Sequence, residues 1–137
     1  MIAVFGDTSY WIALTNINDA DHEKAKAAMR SLPPRPLLTT EQVLTEYLNY
    51  FSAWGPRFRQ KAAGNVQAMF SIETVRISPD VTEAFQAGLD LFRSRPDKGY
   101  SLTDCISMQT MRSEGLTDVL TNDRHFEQEG FRALFRS

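Results

Sequence analysis

Five short runs of strand-forming residues, kept apart by stretches of helical pattern, constrain this chain more than any other feature. They are Ile2-Ala3-Val4-Phe5, Leu37-Leu38-Thr39, Thr74-Val75-Arg76-Ile77, Val119-Leu120 and Phe131 to Phe135. The first is continuously apolar, as expected of a strand covered on both faces. The connections are too long for hairpins and suit crossover helices, so the strands should run parallel. The expected class is α/β: a three-layer α/β/α arrangement with a mostly parallel central sheet of four to five strands. In such sheets ligands sit beyond the carboxyl ends of the strands.

The intervening segments read as helices. The first runs from Thr8 to about Leu14. Asp21 to Ser31 places acids first and a base last, matching the helix dipole. Thr39 and Gln42 have the spacing of a capping box for a helix that buries Val43, Leu44, Tyr47, Leu48 and Phe51. Further helices are expected over Phe58–Phe70, from Pro79 in a first turn to about Arg93, over Ser101–Arg112, and near Arg124 to Glu129. Pro33-Pro34-Arg35-Pro36, Gly55-Pro56 and the loop from Arg95 to Gly99 punctuate the pattern.

At 137 residues the chain suits one domain, expected over residues 1–137. One cysteine excludes an internal disulfide and fits a reducing cytoplasm. No Cys/His cluster suggests zinc. Met1 to Phe5 lacks the basic flank and length of a signal peptide, and no run approaches a membrane span. A net charge of −2 argues against a generally basic nucleic-acid-binding protein.

The acids carry more information than their sum. Asp7 and Asp123 each follow a strand, so a parallel sheet brings both to one edge; either alone also suits a helix N-cap. Asp104 opens a helix whose Cys105, Ile106, Met108 and Met111 mark it as buried. Ser101 and Asp104 also have capping-box spacing. Glu46 shares a helix face with Val43 and Tyr50, although by angle Glu41 lies nearer the apolar arc. Converging carboxylates without softer donors suit Mg²⁺ or Mn²⁺, and such ions suit phosphate chemistry.

The acids fall within a longer pattern. Asp7-Thr8-Ser9-Tyr10-Trp11-Ile12-Ala13-Leu14 resembles the opening motif of PIN-domain ribonucleases. Asp21-His22-Glu23-Lys24-Ala25 resembles the start of their second helix, and Leu38 to Glu46 the segment with their internal glutamate. Ser101 to Ser107 resembles their third acidic motif. Leu120-Thr121-Asn122-Asp123-Arg124-His125-Phe126, with Gly130-Phe131 behind it, resembles the last. The motifs keep the family's order.

The resemblance implies that Asp7, Glu46, Asp104 and Asp123 bind Mg²⁺ or Mn²⁺ and activate water to cut RNA. It selects Glu46 where periodicity does not. Ser9 and Thr121 match polar positions that orient a carboxylate or a water. Small PIN domains of this kind resemble VapC-type toxins of bacterial toxin–antitoxin pairs. That implies a cytoplasmic homodimer and a small antitoxin, which presents an arginine to the acidic cleft. The alternatives are an RNA-processing nuclease without an antitoxin and an RNA- or partner-binding protein with little catalysis.

Two basic stretches are candidates for RNA contact. Arg57, Arg59 and Lys61 are interleaved with Trp54 and Phe58, and Arg93, Arg95 and Lys98 precede Asp104. Arg124, beside Asp123, is a third candidate. Each also reads as ordinary solvated charge. His22 and His125 read as packing or capping residues. A haloacid-dehalogenase phosphatase would want an aspartate where Ser9 stands. A phosphoacceptor receiver would want an acidic pair at Gly6-Asp7 and a late lysine, but none follows Lys98. With four acids assigned to one cleft, 13 acids face 15 bases elsewhere, so the remainder is formally positive.

Overall fold

A computed structural model of the chain describes residues 2–136. Met1 and Ser137, the ends of the expected domain, lie outside the described residues. The elements in order are β1 (Val4–Gly6), α1 (Thr8–Thr15), α2 (His22–Arg30), β2 (Leu37–Thr40), α3 (Glu41–Phe51) and α4 (Pro56–Met69). There follow β3 (Val75–Ser78), α5 (Thr82–Ser94), α6 (Leu102–Ser113), β4 (Asp118–Leu120), α7 (Arg124–Gln128) and β5 (Arg132–Ala133). The sheet has five strands in the order β3-β2-β1-β4-β5, and every pairing is parallel.

The apolar run at the N-terminus takes the centre of this sheet because both its faces can be covered there. Val4 and Phe5 are fully buried, with Leu38, Val119 and Leu120 beside them. From β1 the chain winds outward through β2 to β3, then returns to the other side of β1 for β4 and β5. The order therefore reverses between β1 and β4. A crevice opens beyond the strand ends at such a switch point.

Three local expectations are corrected. Thr40 caps α3, accepting from the Val43 N–H at 3.0 Å. Thr39 does not, because it is still a strand residue and its hydroxyl donates to the Gly6 carbonyl at 2.9 Å. Helix α5 starts at Thr82 instead of at Pro79, since the Asp80 N–H is held at 2.6 Å by the Glu41 carboxylate. The last strand is confined to Arg132–Ala133, although the Leu134 and Phe135 N–H groups still donate towards β4.

Two ionic clusters fasten the fold. Where the strands begin, Arg35 donates to the Ile2 and Ala3 carbonyls and, at 2.7 Å, to Asp118, which also accepts from Arg132. Hydrogen bonds from Arg132 and Arg35 outweigh burial and hold the Asp118 carboxyl at about 2. Near the C-terminus, Glu129 accepts from Arg95 at 2.8 Å, Arg112 at 2.7 Å and Tyr100 at 2.9 Å. Burial pushes Glu129 up, but those donors win and hold it at about 2. No described helix is long and apolar enough to cross a membrane.

Candidate active site: an acidic cleft at the switch point

Asp7 is the first residue beyond β1. Its N–H donates to the Leu120 carbonyl, which continues the β1–β4 pairing past the strand. The register sets Gly6 against Leu120, so Thr121 falls opposite Asp7. The Thr121 hydroxyl donates to the Asp7 carboxylate at 2.8 Å, and Ser9 does so at 3.4 Å. Thr121 Oγ1 in turn accepts the Asp123 N–H at 3.0 Å. Asp7 occupies the N-cap position of α1 but makes no side-chain cap bond, so its carboxylate is left to face the crevice. Gly6 must be a glycine for this turn to close. A Cβ there would stand 2.8 Å from the Trp11 ring, whose Nε1 donates to the Gly6 carbonyl.

Asp104 completes a full capping box with Ser101 at the start of α6. That structural role and a place in the cleft coexist, since one oxygen takes the Ser101 N–H at 3.1 Å. Asp123 caps α7 through the His125 N–H at 2.9 Å. Glu46 projects from α3 and is half-buried. Glu41, the residue that periodicity favours, is engaged with Asp80 and does not line the cleft.

All four acids line one open cleft of about 480 Å³, with Thr8, Ser9, Ile12, Asn122, Arg124 and Arg136. Asp7 is only 4% exposed. Burial, then the charges of Asp104 and Asp123, raise its carboxyl to about 7 against the lowering influence of the Thr121 hydroxyl and the Thr8 backbone N–H. Burial also pushes Asp104 up, assisted by Asp123 and Glu46. A carboxylate cluster held this way is incomplete without positive charge.

His125, read from the sequence as a packing or capping residue, does lay its ring against Tyr100 at 5.2 Å between centroids, but it also faces the acids. Its Nδ1 lies 3.4 Å from Asp123 and 3.7 Å from Asp104, is buried, and has no hydrogen-bond partner. One ligand atom from each of these residues lies within 4.8 Å of the others. The Thr8 hydroxyl, also in the lining, is equally unpartnered. Oxygen donors with one imidazole nitrogen fit a divalent ion such as Mg²⁺ or Mn²⁺, with Mn²⁺ better served by the nitrogen. The sequence signal for His125 is its place two residues after an acid, in the first turn of a helix. His22 does pack: its Nδ1 lies 2.6 Å from the Ala13 carbonyl, tying α2 to α1.

The two predicted basic stretches are elsewhere. Arg59 bonds the Ser52 carbonyl and Lys61 the Thr15 carbonyl, while Arg57 borders a separate depression with Phe58. Trp54 and Phe58 pack with Tyr50 and Phe51 in an aromatic cluster. Arg95 is committed to Glu129, and neither Arg93 nor Lys98 lines the cleft. Only Arg124 among the expected cations does; Arg136, an isolated base near the end of the sequence, carries no signal there at all.

The fold and site have relatives. VapC20 of Mycobacterium tuberculosis, described as a 23S rRNA-specific endonuclease, is 29% identical over 128 residues in two strains, spanning 93% of this chain and 95% of its own. The crystal structure of VapC20, a sarcin-ricin loop cleaving toxin, superposes with a TM-score of 0.84 at 26% identity. That match covers 94% of this chain and 96% of the other. A toxin–antitoxin complex from Klebsiella pneumoniae matches with a TM-score of 0.60 at 17% identity, over 89% and 88% of the two chains, a likeness of fold alone. The PIN domain family model matches residues 4–131, from the first strand through the last motif, and by that match the chain belongs to the PIN domain family.

Proposed function

We propose that this chain is a divalent-metal-dependent endoribonuclease and the toxin of a toxin–antitoxin pair. One observation carries the reading: four carboxylates from separate elements converge on a cleft where Asp7 is buried without a cationic partner among the described residues. Asp7, Asp104 and Asp123 would hold the principal ion, with Glu46 completing the set and His125 Nδ1 available beside them. A bound Mg²⁺ or Mn²⁺ supplies Lewis acidity, an acidified water and charge stabilisation on the leaving oxygen. Thr121 and Ser9 fix the direction of the Asp7 carboxylate by donating to it, which presets the site. The scaffold donates no hydrogen bond to Glu46 among the described residues, so that carboxylate is free to turn towards an ion or a water.

The likeness to VapC20 supports 23S ribosomal RNA as the first substrate to test, and a small antitoxin as the partner. It also supports a cytoplasmic setting. A homodimer is the expected assembly, and α5 offers a face for it. Phe85, Leu89 and Phe92 are exposed there at helical spacing. Glu83 in the first turn and Arg93 in the last have no partner among the described residues. Two copies of α5 packed antiparallel would set each acid against the other's base.

The test is cleavage of total RNA by the purified chain with Mg²⁺, Mn²⁺ or EDTA. Cutting is expected with either ion and absent in EDTA. Asp7→Asn and Asp104→Asn are each expected to lower it at least ~100-fold, in the range of lost electrostatic catalysis, while circular dichroism stays native. Full cleavage in EDTA, or unchanged activity in both variants, would refute the assignment. Tight RNA binding without metal-dependent cutting would favour a binding role.

A further inference from the structure

An acidic cleft repels the polymer it is proposed to cut, so the approach of the RNA backbone needs cations placed at its edge. Among the described residues, the cations lining the cleft are Arg124 and Arg136; α1, α3 and α6 contribute none. Arg124 opens α7 and has no ion pair or hydrogen bond among the described residues. Arg136 follows β5, and its Nε pairs at 2.6 Å with Glu127. Glu127 stands three residues after Arg124 on the same short helix, so one element organises both guanidiniums.

The Arg136–Glu127 pair uses the inner nitrogen of the guanidinium. Its two terminal nitrogens make no hydrogen bond among the described residues. A fork held at one end and open at the other suits a phosphate, which accepts two parallel N–H bonds. Arg136 also borders a second depression of about 370 Å³, between α2 at Lys24 and Ala28 and the Phe135 segment. Arg136 is the one residue common to the linings of the two hollows.

Resting on the nuclease reading, we propose that Arg124 and Arg136 are positioning residues for the phosphates flanking the scissile one, and that Arg136 directs a single RNA strand from the acidic cleft into the groove along α2. Neither basic stretch that the sequence offers for this task reaches the cleft. The polymer therefore enters over α7 and the C-terminal segment.

The salt dependence of binding tests this. The probe is a labelled single-stranded RNA oligonucleotide, titrated with the Asp104→Asn chain without divalent ions across a KCl series. Each phosphate contact on a single strand contributes about 0.7 to the slope of log K against log salt, or roughly fivefold in affinity at about 0.1 M. Arg136→Ala should lose about that much affinity and flatten the slope by about 0.7. Arg136→Lys should keep the slope. Glu127→Gln, which frees the fork without removing its charge, should weaken binding with little change in slope. Arg57→Ala, an exposed cation outside the cleft, should behave as the parent. Parental affinity and slope in Arg136→Ala, or an equal loss in Arg57→Ala, would overturn the assignment. Cleavage by the unsubstituted chain tests the underlying reading separately. A chain that cuts RNA while Arg136→Ala binds normally overturns the arginines alone, and one that neither binds nor cuts RNA overturns both.

Discussion

Asp7 is a carboxylate in a place that favours the acid. Burial and two acidic neighbours hold its proton up to about pH 7, whereas the unfolded chain releases it near 3.8. The folded state binds that proton more tightly, so the associated stability is whole below about pH 3.8 and is lost as pH rises through about 7. An asparagine needs no proton. In metal-free protein, Asp7→Asn is therefore expected to raise the thermal midpoint at pH 8, by roughly 5 °C, with the gain fading towards pH 4. A lower midpoint at pH 8 would contradict that repulsion. At this scale the sequence is informative about the acids, because Asp7 and Asp123 follow strands and Asp104 opens a buried helix. It is uninformative about Arg136, whose place in the cleft depends on how the chain returns after β5. His125 is hard to read because a helix-capping turn and a ligand site call for the same local pattern.

Elements are legible wherever apolar period and turn residues agree. The central strands, α3 and α4 follow their patterns closely. Boundaries shift where a distant group decides them: Glu41 delays α5 by holding Asp80, and Gly6 claims the Thr39 hydroxyl. Helix α5 itself shows two faces with different demands. Inward, Gly88 lets it close on α6; a Cβ would stand 2.4 Å from Ile106 Cγ1 and 3.0 Å from its Cα. Gly88→Ala should thus cost about 2 kcal/mol in urea unfolding despite the better helix propensity of alanine. Outward, Leu89 belongs to the exposed apolar stripe. Leu89→Glu should shift the solution mass by light scattering from two copies to one while leaving the midpoint nearly unchanged. A wild-type chain that is already monomeric would remove the dimer reading.

The whole molecule is legible in class and misleading in charge. Alternating runs specify a parallel α/β sheet because both faces of each strand must be covered. A net charge of −2 suggests indifference to nucleic acid, yet four of the acids gather in one cleft. Composition averages over positions that the sheet then sorts. That sorting divides the molecule. Where strands begin, opposite charges are matched around Asp118; where they end, like charges are massed. Mn²⁺ at about a hundred times its Kd should add about 2.7 kcal/mol to stability, seen as a rise in midpoint that Asp104→Asn abolishes. Absence of any rise would argue against a built ion site.

The four acids hang from β1, α3, α6 and the turn into α7, segments far apart along the chain. A cation held among them, as proposed, would join those segments and so would serve as a clasp. Without one, the same side chains repel one another, while at the far edge the Arg35 cluster ties the start of β1 to β4 and β5. Filling the cleft and stiffening that end of the protein are one event, and amide exchange at the ends of β1 and β4 should slow when the ion arrives.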